Sequence, residues 1–170
     1  MKMIWGFVGV CLATALYAQQ ESQHAMPPGV SHEEHQRQMQ KRGAAAMGFD
    51  QDTTVHRFLL SSDGGAIEVR AKDPADTATC EQIRRHLHEI AGAFADGDFS
   101  KPFITHAEMP PGVAVMQQRK AAIRYAFEEL PSGGRVRITT HDATAQQAIH
   151  EFLRYQIREH GTGDPTKVPR

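Results

Sequence analysis

Ten histidines and seven methionines stand against two cysteines in this chain of 170 residues. Imidazole and thioether are soft donors that suit copper, above all Cu(I), while Ca²⁺ and Mg²⁺ want carboxylate and carbonyl oxygens. One stretch concentrates them. HAEMPPGVAVM, residues 106–116, sets His106, Met109 and Met116 around a Pro110-Pro111-Gly112 break. The competing reading of the same stretch is a linker whose methionines fill gaps, as flexible thioethers do. The spacing follows no fixed metal signature, and HExxH, CxxC, CxxCH and GxSxG are all absent. No nucleophile or carboxylate partner is placed beside His56 or His106, so an enzyme ranks below a binding protein. Non-covalent haem held by His and Met is a variant of the metal reading.

The elements that must position these residues show an internal repeat. HRFLLSSDGGAIEVRAKD, residues 56–73, aligns with YAFEELPSGGRVRITTHD, residues 125–142. Each copy reads as a strand, a Gly-Gly turn and a second alternating strand, which is a hairpin pattern. A helix follows each: residues 83–98 pair with 149–164, with Ile83, Leu87, Ile90, Ala91 and Phe94 on one apolar face and Ile149, Leu153 and Ile157 on the other. Gly97-Asp98 and Gly163-Asp164 read as matched helix stops. Neither ββα unit can bury its own apolar faces. The expected fold is therefore α+β: an internally duplicated ββα-ββα domain over residues 47–164, with a four-stranded, largely antiparallel sheet and two helices packed on one face. The repeats run from about 54 to 98 and 121 to 164, joined by a linker loop over 99–120.

Duplication also sorts residues. Positions that agree between copies serve the fold, and positions where one copy alone carries a reactive side chain are where function can enter. His56 stands opposite Tyr125, His86 opposite Phe152, His160 opposite Phe94 and His150 opposite Arg84. His88 and His141 fall on solvent-facing positions. A single histidine on an apolar face is usually a satisfied core residue, and His160 in a last helical turn also suits the helix dipole. Several at the core margin of one small domain call for a shared partner, and a metal is one. The candidate ligand set is His56, His86, His106, Met109 and His160. His106 and Met109 lie in the linker, which belongs to neither copy; Phe99, Pro102 and Phe103 are its expected anchors.

The ends of the chain carry different signals. Lys2 and the apolar run from Met3 to Leu16, followed by small residues, read as an export signal over 1–18, cleaved after Ala15 or Ala18. The run is short for a membrane span. Removal of that segment leaves Cys80 as the sole thiol, so no internal disulfide is expected in an exported protein. Residues 19–46 are polar and read as flexible, with His24, Met26, His32, His35 and Met39 available as a metal-capture arm. Residues 165–170 read as a disordered tail. A net charge of −1 gives no bulk attraction for nucleic acid or anionic membranes.

MGFDQDTTVHRF, DGGAIEV, IRRHL, GDFSKP, the H-x-x-x-PPG-V-x-V-M stretch and AIHEFLRYQIREHGTGD together resemble a family of exported bacterial proteins without an assigned activity. The resemblance spans about residues 47–164 and implies export rather than a mechanism. Where that family often has a second histidine after the position of His56, this chain has Arg57. Two functions remain open at this level: a periplasmic or secreted protein binding a soft metal, copper first, and a metal-free module that docks an exported partner protein or peptide.

Overall fold

The computed structural model describes residues 31–169. The export segment, its cleavage points, His24 and Met26 lie outside them. Four strands form one fully antiparallel sheet: β1 (Thr54–Ser61), β2 (Gly64–Ala71), β3 (Ile123–Leu130) and β4 (Gly133–Thr140), in the order β1-β2-β4-β3. The two long helices, α2 (Thr77–Asp96) and α5 (Ala143–His160), cover one face. The duplicated α+β architecture is thus present. At its centre β2 pairs with β4, and Ile67 lies opposite its repeat equivalent Val136.

The helices cross over. Helix α2 of the first copy lies on β3 and β4 of the second, and α5 lies on β1 and β2 of the first. Two glycines permit this close seating. A Cβ on Gly65 would stand 2.4 Å from Leu153 Cδ1 of α5, and one on Gly134 would stand 3.3 Å from Leu87 Cδ1 of α2. Side chains clamp the same arrangement from the flank. Arg84 donates to the carbonyls of Leu130 and Gly133, at 3.0 and 3.3 Å. His150, its repeat equivalent, contacts the carbonyls of Ser61 and Gly64 through Nε2 at 2.9 and 3.0 Å. Carbonyl oxygens only accept, so Nε2 donates there and His150 serves the fold.

Several expectations need correction. The hairpin turns are Ser62-Asp63 and Pro131-Ser132; each Gly-Gly pair instead opens the following strand. Asp142 caps α5, accepting from Ala145 N at 2.9 Å, and Asp76 caps α2, accepting from Thr79 N at 3.0 Å. Helix α5 stops at Gly161 in the left-handed region, φ 58°, two residues before the expected glycine. Asp164 is consequently free to reach back to β1, where its buried carboxylate accepts from Phe58 N at 2.9 Å and Arg57 Nε at 3.1 Å.

The linker over 99–120 is not a loop. It folds as α3 (Ser100–His106) and α4 (Val113–Gln118), separated by the Pro110-Gly112 turn. Pro102 is compatible with a helix here because it falls in the first turn, where its missing N–H is not needed. Phe99 anchors the segment in the core, whereas Phe103 is exposed. Met116 is fully buried under α4.

Part of the supposed flexible segment also folds. Helix α1 (His32–Met47) starts at Ser31, whose Oγ accepts from Glu34 N at 3.2 Å. It lacks a broad apolar stripe, which is why periodicity missed it. What holds it is tertiary: Met39 is 1 % exposed, and Arg42 Nε donates to the Thr105 carbonyl of α3 at 3.0 Å. Burial removes Met39 from any capture arm. At the other end, residues 165–169 are irregular yet held: Arg154 Nε donates to Thr166 O at 2.9 Å, and Val168 packs on the core. No described helix is long and apolar enough to cross a membrane.

Candidate functional site

Four elements converge on one small cavity of about 80 Å³ beneath α2, α3 and α5, and each supplies a histidine: His56 from β1, His86 from α2, His106 from α3 and His160 from α5. His56 points inward because strand alternation puts it on the same face as Phe58 and Leu60. His160 lies two turns beyond Phe152 and one beyond Gln156, so all three share a face of α5. His106 ends α3, where the Pro110-Gly112 turn forces the chain to reverse. It is 5 % exposed.

His160 stands in the middle of the group. Its ring centre is 5.9 Å from that of His56, nearly parallel at 11°, and 5.2 Å from that of His106, edge-on at 86°. His86 is set apart. Phe49 touches both it and His56, with ring centres 5.5 and 6.1 Å away. Among the described residues the remaining lining is apolar, the Met47 thioether included, except for Gln156, Thr105 and Lys101, and it contains no carboxylate.

The hydrogen bonds of these rings are incomplete. His106 Nε2 stands 3.0 Å from Gln156 Oε1, which makes Nε2 the protonated nitrogen and Nδ1 the lone-pair nitrogen. Among the described residues Nδ1 of His106 and Nε2 of His56 are buried and have no hydrogen-bond partner, and the same holds for Gln156 Nε2. Burial pushes the His56 and His86 imidazoles down to about 4 and that of His160 down to about 3, where the nearby His106 and His56 rings add to the effect. Burial lowers His106 as well, against the opposing bond to Gln156. At neutral pH the whole group is uncharged, the form in which imidazole binds metals.

Four of the five candidate residues therefore meet. Met109 does not: it is 48 % exposed and lies outside the cavity lining. The thioether that does face the cavity belongs to Met47, at the end of α1. Sequence reasoning missed Met47 and Gln156. The spacing of Gln156 to His160, one helical turn on the same face, was the available signal for the second. His88 and His141 are exposed as expected. Cys80 is buried at the start of α2, away from the cavity. Among the described residues, no group of three His, Cys, Asp or Glu side chains is arranged to hold a metal ion as it stands. Comparison with protein-family models, with curated proteins and with solved structures finds no match.

Proposed function

We propose that this is an exported protein that binds a soft transition metal ion, Cu(I) before others, in the histidine cavity. His56, His106 and His160 are its nitrogen donors. One observation carries the reading: three uncharged imidazoles from β1, α3 and α5 lie in successive ring contact around one small cavity with no carboxylate among its described lining residues. Nitrogen donors about 2.0 Å from a tetrahedral ion place neighbouring ring centres roughly 5 Å apart. The separations of 5.2 and 5.9 Å fall near that value. Ring rotation, chiefly of His56 against His160, would turn their nitrogens to a common point. The absence of carboxylates disfavours hard cations, and imidazole with a nearby thioether favours copper.

The size of the cavity argues in the same direction. Sites for organic cofactors span about 300–1,000 Å³, so about 80 Å³ suits an ion and not a haem. A metal-free docking module gives no reason to bring one buried and two half-buried imidazoles together, because removing them from water costs desolvation. Titration of the purified protein with Cu(I) against a chromophoric chelator tests the reading. Binding tighter than micromolar is expected, with His106→Ala weakening it about 10- to 100-fold. Wild-type binding no tighter than micromolar would overturn it.

A further inference from the structure

A second, larger cavity of about 270 Å³ lies beside the first and opens towards solvent. Its wall is polar, with Gln82, Arg85 and Glu89 from one side of α2 and Gly48 from the end of α1. The two cavities share three lining residues: Met47, His86 and Lys101. Lys101 is occupied, since its Nζ donates to Glu89 at 2.9 Å. The partition between outside and inside therefore presents two soft donors, one thioether and one imidazole. His86 lines both cavities, whereas His56, His106 and His160 line only the first, and Phe49 contacts both His86 and His56.

On the basis of the metal reading above, we infer that Met47 and His86 form an entrance station, a transient two-donor site that passes the ion from the outer cavity to His56, His106 and His160. Cu(I) accepts two-coordinate thioether and imidazole binding and exchanges ligands without any redox step. In each exchange one metal–donor bond forms as another breaks, and the ion keeps its charge. Arg85 and Lys101 against Glu89 leave the outer cavity slightly positive, so it does not concentrate cations. Selectivity at the partition comes from the two soft donors. Helix α1 holds one of them: Met47 is its last residue, and its place depends on the burial of Met39 and the Arg42 bond to α3. His86 is thereby assigned to the path and not to the final ligand set.

The repeat supplies a well-tolerated variant, because Phe152 already occupies the position equivalent to His86 in the second copy. Rapid-mixing transfer of Cu(I) from a coloured chelator complex gives the uptake rate, and equilibrium competition gives the affinity. His86→Phe and Met47→Leu are each expected to slow uptake at least tenfold while changing affinity less than threefold. His106→Ala should lower the affinity instead. An unchanged uptake rate in both entrance variants would overturn the inference and leave the inner site standing. So would a loss of affinity in His86→Phe as large as that in His106→Ala, which would make His86 a ligand. Failure of the wild type to bind Cu(I) would overturn both the inner site and its entrance.

Discussion

The two ends of the sheet repeat one crossing of helix over edge strand and fill it differently. Where α2 crosses β3, Phe94 meets Tyr125 edge-on at 5.8 Å, and Phe99 stacks on Phe94 at 4.3 Å. Where α5 crosses β1, the equivalent residues are His160 and His56 at 5.9 Å, with His106 against His160 in place of a phenyl ring. Ring for ring, one end is an aromatic plug and the other a cluster of imidazoles. The plug is not free of cost, since the Tyr125 hydroxyl is buried without a partner among the described residues and burial raises its pKa. The histidine end costs more, with His56 driven down to about 4, His160 to about 3 and His106 lowered as well by burial. The other copy fills the equivalent positions with phenyl and phenol, so the repeat itself does not require imidazoles there.

The comparison rests on a shared core beneath both crossings, and that core gives the largest expected effect. Leu153→Ala over Gly65 and Leu87→Ala over Gly134 should each cost about 2–5 kcal/mol in urea unfolding. Both should destabilise, because each leucine sits at the equivalent position over the opposite hairpin. A cost confined to one of them would break the equivalence of the halves.

Acid sharpens the difference between the ends. Folded His56, His86 and His160 titrate below the roughly 6.5 of an unfolded imidazole. The unfolded chain therefore binds protons first as pH falls. The stability contributed by the neutral rings is complete above about pH 6.5 and is lost as pH falls towards 4 and then 3. Copying the aromatic end with His160→Phe or His56→Tyr should remove one such group each, leaving a visibly flatter profile between pH 6.5 and 4 and equal or higher stability at acid pH. Urea midpoints measured across that range decide it; a wild-type profile that is already flat would deny that the rings are buried in the neutral form.

The smallest effect is expected at the residue that first suggested copper. Met109→Ala should change Cu(I) affinity less than twofold and stability less than about 0.5 kcal/mol, since the side chain is exposed and outside the cavity. A larger loss of affinity would move the site out to the 107–112 turn.

How much of this was readable in advance differs by element. Both hairpins and both long helices announce themselves through alternation and helical spacing, and the repeat pairs them, although the turns and the α5 stop fall elsewhere than expected. Helices α1, α3 and α4 do not. Helix α1 lacks a broad apolar stripe and is held by Met39 and one arginine contact, and α3 carries a proline that only its place in the first turn makes harmless. For the site, the same comparison of copies singled out His56, His86 and His160, because it exposes a reactive residue where the fold asks only for a ring. It also marked His150, which was not taken into the candidate set and whose contacts with hairpin carbonyls repeat those of Arg84.

From its residues alone the chain determined two ββα units that must share a core, and which imidazoles stand where aromatic rings would serve. Tertiary structure alone decided that these rings meet. Each helix docks on the other copy's hairpin, which brings the end of α5 against the start of β1, and the two short helices then fold His106 over the gap. That docking follows from how leucines seat on glycines across the sheet. It also replaced Met109 with Met47: a side chain's access to a cavity depends on the packing of its whole helix, and no spacing along the chain encodes that.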